Sequence, residues 1–499
     1  MESQRFGVEY VETLDGGMRP FGVSMKRRPF LIGAAATAAS LLTPDTSRSQ
    51  SDIGPHLAVS YEDPGQAIAL DFIGLSYESA ILAGADYFTP NNASTLGLIR
   101  ALGENGVIRI GGNTSERAVW GVDAKPVGPA SLVIAPANID RLAAALRVLG
   151  WKLIYGLNLA RGSPAEAADE AAYVANAVGT NLLAFQIGNE PDGFGRWTAA
   201  RPASYDVSAY LAEWRTFHAS IRARVPGALF AGPDVSDATY WVAALAEAMP
   251  EGLVLLTHHY YADGPAGAPH VSLPKLLQSS RQLRPLLERL ARYSRTYRLP
   301  CRITETNSIY DEGQPGVSDT LGAALWGLEL MFHAAAAGGA GINFHGGVHN
   351  RRASDDKAYT PIARSGDRYR ATPLYYSMLM FAQVARGALV PTQLAPDTSG
   401  LKAFAVRAPE GTLRVCLINQ NITHDERLAI DPGRKFTAAS MLRLTGPAID
   451  ATAGVTLGGA SVDEFERWAP PMNEEVRLTG REILVDVPAA SAALVSLRG

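Results

Sequence analysis

The sequence predicts an α/β protein: a (β/α)8 TIM barrel followed by a C-terminal β-sandwich. Three observations carry this. From residue 67 to 386, strand-like apolar runs alternate with Ala/Leu-rich helical stretches, the pattern of parallel βα units. Eight such runs occur, and no GxGxxG follows the first. That favours a closed barrel over a doubly wound dinucleotide-binding sheet. From 387 to 499 the helical period fades into short runs such as TLRVCLINQ and REILVDVP between Gly, Pro and Asp turns, as a β-sandwich requires.

Taken in order, residues 1–52 read as an export signal and linker. Lys26, Arg27 and Arg28 precede an apolar run from Phe30 to Leu42. The run is shorter than the ~20 residues of a membrane-spanning helix and suits a signal-peptide core. Arg27-Arg28-Pro29-Phe30-Leu31 resembles the twin-arginine signal of bacterial export, which predicts a periplasmic or secreted protein. Met25 offers an alternative start, and no A-x-A cleavage site is evident. Residues 53–66 carry a strand (His56 to Tyr61) expected to join the sandwich. No other segment is long and apolar enough to cross a bilayer, so no membrane span is expected in the mature protein.

Composition bounds the function. Of 499 residues, 47% are hydrophobic and 19% charged, with a formal charge of −4, an ordinary globular balance. No basic stripe with interleaved aromatics exists, which excludes a broad nucleic-acid footprint. The two cysteines, Cys301 and Cys416, have no metal-ligand spacing and sit in apolar runs, as buried thiols do.

A (β/α)8 barrel assembles its active site at the C-terminal ends of its strands. The first strand ends at Tyr77-Glu78, the second at Gly112-Asn113, the fourth at Asn189-Glu190. The sixth ends at His258-His259-Tyr260-Tyr261, the seventh at Glu305, and the eighth at Asn343-Phe344-His345. Glu190 and Glu305 lie half a barrel apart in strand order. Glycoside hydrolysis needs such a pair, one carboxyl to protonate the leaving oxygen and one carboxylate to attack the anomeric carbon. Glu190 is therefore expected as acid/base and Glu305 as nucleophile. Tyr260 is expected to hold Glu305 ionised, Asn189 to bond a sugar hydroxyl beside the acid, and Asn113 and Glu78 to bind further hydroxyls. His258 is read as a substrate ligand or a structural histidine, and His345 likewise. His345 and His349 have a metal-compatible spacing in a Gly-rich loop, but the chemistry needs no metal and no cofactor.

RIGGN, GLNLA, QIGNEPD, THHYYADG, ITETNSIY and GINFHGG together resemble glycoside hydrolase family 79, the heparanase and β-glucuronidase family of clan A. The resemblance runs across barrel and sandwich. It implies a retaining β-glycosidase acting on a carbohydrate substrate, usually a β-glucuronide. By motif position Glu190 resembles the acid/base and Glu305 the nucleophile, while Asn189, Tyr260 and Glu78 match residues that contact the terminal sugar. Tyr310 and Tyr359 resemble tyrosines that grip the uronate carboxylate.

One departure is Asp311-Glu312, where many relatives carry small or neutral residues. A like-charge contact near 4 Å costs on the order of 1 kcal/mol in water and about 4 at intermediate dielectric. Acids pointing inward would therefore select a neutral sugar. The loop after the eighth strand supplies Arg351, Arg352, Lys357, Arg364 and Arg368 against Asp355, Asp356 and Asp367. The expectation is a β-glucuronidase. The alternative is a retaining β-glucosidase or β-xylosidase. A non-catalytic carbohydrate-binding protein is the reading from another class, and the paired carboxylates argue against it.

Overall fold

The computed structural model describes residues 54–499 except 85, 126–130, 348–355, 396–399, 464, 471–472, 479 and 481. The export signal at 26–42, and His349, Arg351, Arg352 and Asp355, thus lie outside the described residues.

Eight parallel strands close into a barrel. They are β1 (Ile73–Glu78), β2 (Val107–Gly111), β3 (Lys152–Leu157), β4 (Leu182–Ile187), β5 (Phe230–Val235), β6 (Leu253–Asp263), β7 (Cys301–Ile309) and β8 (Gly341–Gly346). β8 pairs with β1, Ile342 opposite Ile73, and completes the ring. Each strand is followed by a helix: α1 (Ala93–Ala101), α2 (Pro136–Leu149), α3 (Pro164–Val178), α4 (Val207–Arg224), α5 (Tyr240–Glu247), α6 (Ser280–Tyr297), α7 (Leu321–Ala336) and α8 (Pro373–Val384).

The local sequence explains these boundaries. At α3, the Ser163 N–H donates to Glu166 Oε2 (2.9 Å) and the Glu166 N–H donates to Ser163 Oγ (3.2 Å), with Pro164 at the first helical position. That is a capping box satisfying N–H groups the helix cannot pair itself. α7 is buried on nearly all sides, as a helix sandwiched between two domains must be.

The barrel interior is graded. Val107, Ile154, Ala184, Ala231 and Leu255 form a small apolar plug toward the N-terminal ends of the strands. Above it the filling is polar: Arg109, Gln186, Asp234, Thr257, Thr304 and Asn343 are all almost fully buried. Buried polar groups are tolerated only when mutually satisfied, so this layer is a bonded network.

The β-rich remainder has two sheets. His56–Val59 lies between Thr392–Ala395 and Glu426–Asp431, with Ile483–Val487 completing that sheet. The larger sheet centres on Leu413–Asn419 and Ser491–Arg498. Its strands read as continuous apolar runs because both faces are covered. Leu413, Val415 and Leu417 enter the core between the sheets, whereas Cys416 and Ile418 pack into the barrel's helical layer. Phe332 of α7 stacks on Phe404, centroids 4.6 Å apart. Both cysteines are free and buried. No helix among the described residues is long and apolar enough to cross a membrane.

Candidate active site

The site grows from the polar layer. Arg109 of β2 donates through Nε to Gln186 Oε1 (3.1 Å), through Nη1 to Glu305 Oε2 (2.6 Å), and through Nη2 to Asn189 Oδ1 (2.6 Å) and to Asp234. One guanidinium thereby ties strands β2, β4, β5 and β7, a task for which five donors in a rigid fork are suited.

Two backbone irregularities aim the acids. β5 shifts register between Pro233 and Val235, and Asp234 there has φ +63°. It receives Thr304 Oγ1 (2.5 Å) and Gln186 Nε2 (2.6 Å). β7 shifts register between Ile303 and Glu305, so successive side chains, Thr304 and Glu305, both reach interior partners. A bulge re-aims a side chain in this way, and bulges recur beside active sites. Glu190 follows β4 with φ +46°, an unusual conformation for a residue with a side chain.

The two glutamates face each other across the barrel mouth. One oxygen of Glu190, one of Glu305 and a ring nitrogen of His259 all lie within 4.8 Å of one another. Retaining pairs sit about 5–5.5 Å apart and inverting pairs about 6.5–9.5 Å, so the spacing is of the retaining kind.

Their environments push them apart in acidity. Burial would raise Glu305, but His345, His259 and Arg109 outweigh it and hold the carboxyl near about 2. Tyr261 Oη also donates to Glu305 Oε1 (2.9 Å). Glu190 goes the other way: burial raises it, His259 opposes, and the charge of Glu305 adds to the rise. His259 Nδ1 lies 2.9 Å from Glu190 Oε1 and Nε2 lies 3.0 Å from Asp234. Burial alone would lower this imidazole, yet Asp234 and Glu305 raise it to about 10. By distance the trio could also ligate a metal ion.

A second cluster borders Glu305. Glu78 accepts from the Thr114 N–H (2.8 Å) and Thr114 Oγ1 (2.7 Å). Gly112, with φ +70°, leaves room for it, since a Cβ there would meet the Glu78 carboxyl at 2.5 Å. Burial pushes Glu78 up, but His345, Lys357 and Thr114 together hold it well below the usual range. Lys357 Nζ donates to His345 Nε2 (2.9 Å), and His345 Nδ1 meets Ser76 Oγ (3.0 Å). Lys357 is only 6% exposed and stands 3.9 Å from Glu78 and 5.8 Å from the Tyr359 ring centroid.

The structure brings Glu78, Asn189, Glu190, Glu305 and Tyr359 together around this mouth. Tyr359 is buried, its ring 6.1 Å from Tyr261 and from His345. Asn113 is exposed and accepts from Asn189 Nδ2 (3.3 Å). Tyr310 stands at the rim, 42% exposed, its ring 6.4 Å from Tyr261.

Two expectations are corrected. On β6 it is Thr257, His259 and Tyr261 that bond interior groups. His258 and Tyr260 take the opposite face, because side chains alternate along a strand. His258 bonds the His259 carbonyl, and burial pushes it down to about 4, a neutral structural histidine. Tyr260 points toward Ser279 in the helical layer, so the phenol that bonds Glu305 belongs to Tyr261. Sequence reasoning also passed over Arg109, Asp234 and His259. Each stands in a strand-end motif (RIGGN, GPDVS, THHYY), and a charged residue inside a strand was the available signal.

No protein-family model matches the chain. It is similar to a β-glucuronidase of Aspergillus niger, 26% identical over 94% of this chain and 98% of that protein. A β-glucuronidase of Neurospora crassa is 26% identical over 64% of this chain and 62% of that protein. Among solved structures, a 4-O-α-L-rhamnosyl-β-D-glucuronidase from Fusarium oxysporum 12S superposes with TM-score 0.75 at 21% identity, over 88% of this chain and all of that one. A family 51 arabinofuranosidase from Xanthomonas axonopodis pv. citri gives TM-score 0.64 at 17% identity, over 89% of this chain and 99% of the other.

Proposed function

The chain is a glycoside hydrolase resembling family 79, and we propose that it is a retaining β-glucuronidase releasing terminal β-D-glucuronosyl residues. The observation that carries the mechanism is the facing pair: Glu305, held low by its cationic neighbours, and Glu190, pushed up by burial and by the charge of Glu305, with oxygens within 4.8 Å of each other. Glu190 protonates the glycosidic oxygen while Glu305, kept ionised by His345, His259 and Arg109 and oriented by Tyr261, attacks the anomeric carbon. The C–O bond to the aglycone breaks and a covalent glycosyl-enzyme forms. Glu190, now ionised, takes a proton from water, which displaces Glu305.

The sugar assignment rests on the likeness to two β-glucuronidases and on Lys357. This buried cation, beside Tyr359 and Glu78, gives a uronate carboxylate a partner near the nucleophile. Asp311 and Glu312 are exposed, and the Glu312 carbonyl accepts the Ala358 N–H (2.8 Å), tying this loop beside Lys357. Those two acids are what favours the second reading, a neutral-sugar β-glycosidase. Export rests on the twin-arginine-like segment at 26–42 alone.

Paired aryl β-glucuronide and aryl β-glucoside, with Glu305→Gln as control, test the proposal. Cleavage of the glucuronide with release of the β-anomer by NMR is expected. Glucoside cleavage alone would overturn the sugar assignment, and release of the α-anomer would overturn the mechanism.

A further inference from the structure

Glu116 lies outside the chemistry just described, yet it is buried, 8% exposed, in the turn that follows β2. Its Oε1 accepts the N–H of Asn189 at 2.5 Å, and its Oε2 accepts the N–H of Ala160 at 2.6 Å. One carboxylate therefore bridges the segment after β3 to the residue immediately before Glu190. From the far side, Arg201 holds the same peptides, donating to the carbonyls of Ala160 (2.8 Å) and Leu159 (3.1 Å).

Beyond Glu190 the chain is pinned as well. Asp192 accepts the N–H groups of Asp237 and Ala238, both at 2.9 Å, and Glu190's own N–H donates to the Asp234 carbonyl (2.9 Å). The left-handed backbone of Glu190 is thus clamped on both sides. Such a conformation persists only where its surroundings over-determine it.

The chemistry of the clamp is specific. Two backbone N–H groups converge on one side chain, and a carboxylate is the only one with two acceptor oxygens and no donor. A glutamine would turn an NH2 toward one of those donors. A cavity of about 180 Å³, lined by Arg117, Trp120, Asn158, Arg161 and Glu170 among others, lies beside these loops. Burial pushes the Glu116 carboxyl up, and the Ala160 and Asn189 N–H groups act against it, so the two bonds of the clamp are what favour the ionised, acceptor-only form.

We infer that Glu116 is a positioning residue for the acid/base: by accepting the Asn189 and Ala160 N–H groups it holds Glu190 where it protonates the leaving oxygen. The inference rests on Glu190 being that acid. Displacement of a catalytic group by about 1 Å costs on the order of 10²-fold, and here the loss falls on proton donation, not on nucleophilic attack.

The test is leaving-group dependence. Wild type, Glu116→Gln, Glu116→Asp and Glu190→Ala are assayed on a graded aryl glycoside series of whichever sugar the wild type cleaves, from 2,4-dinitrophenyl to phenyl. Active sites are counted by the burst from the 2,4-dinitrophenyl 2-deoxy-2-fluoro glycoside. Expected for Glu116→Gln is a 10- to 100-fold loss of kcat/KM per active site on the phenyl substrate, with the dinitrophenyl substrate within about threefold of wild type. Glu116→Asp, which keeps the charge, falls between. An equal loss across the series overturns the inference and leaves Glu116 a structural residue. If Glu190→Ala itself shows no steep dependence, the acid/base assignment fails instead, and the two failures are told apart.

Discussion

Replacing His259 with glutamine should move the basic limb of the pH–rate profile upward. In the structure the His259 imidazolium sits 2.9 Å from Glu190 Oε1 and is kept protonated to about 10 by Asp234 and Glu305 despite burial. It lowers the Glu190 pKa, while burial and Glu305 raise it further. A unit charge pair near 4 Å at an effective dielectric of 20 is worth about 4 kcal/mol. At 1.36 kcal/mol per pKa unit this sets a ceiling of about 3 units. Because the imidazolium shares its field with Asp234, 3.0 Å from its other nitrogen, about 1–2 units is the expected change. The sign is upward: a neutral glutamine removes a cation that favoured the ionised acid, so Glu190 stays protonated to higher pH. The limb is read from kcat/KM between pH 5 and 10, which reports the free enzyme's essential acid. Lower plateau activity from lost orientation leaves the limb's position readable. A limb that stays in place, or moves down, would refute the pairing of His259 with Glu190.

Tyr261→Phe removes a hydrogen bond to an ionised carboxylate, worth ~1.5–3 kcal/mol, and should lower kcat about ten- to hundredfold, whereas Tyr260→Phe should change it less than about threefold. Equal effects would reinstate Tyr260. Arg109→Met leaves Asp234 and Glu305 buried without their shared cation, so destabilisation of about 3–5 kcal/mol is expected in denaturant unfolding. A change under 1 kcal/mol would show the network to be dispensable. Lys357→Met should lower kcat/KM on an aryl glucuronide by at least about tenfold, the loss of a charge-assisted hydrogen bond. A comparable loss on the glucoside would argue against a carboxylate contact. Finally, His259 has a folded pKa near about 10, above the ordinary imidazole value. Its stabilisation is complete below pH ~6.5 and is lost as pH rises toward 10, by up to about 1.4 kcal/mol per unit. The thermal midpoint should decline from pH 7 to 10, and less steeply in His259→Gln. Identical slopes would place the imidazole's pKa near its ordinary value.

Much of this protein is visible in one dimension. The βα alternation, the count of eight strands and the switch to β texture near 387 follow from hydrophobic periodicity, which burial imposes locally. Glu190 and Glu305 stand out because a strand followed by a carboxylate is a local signal, and a barrel puts every strand end at one mouth. The β6 residues were less legible. THHYYADG offers two histidines and two tyrosines in succession, and composition cannot say which of each pair faces inward.

The sequence by itself determined the two layers of architecture, the mouth of the barrel and the pair of acids. Only the tertiary structure decided which face of β6 lines the site, that Asp234 and Glu305 enter through register shifts in β5 and β7, and that Arg109 joins four strands. It alone showed Lys357 folded back against His345 and Glu116 beneath Asn189. The physical reason is common to all of these. Strand register, bulges and buried ion pairs are set by partners far away along the chain, 196 positions between Arg109 and Glu305 and 269 between Ser76 and His345, and no local pattern of residue types encodes which distant group a side chain will meet.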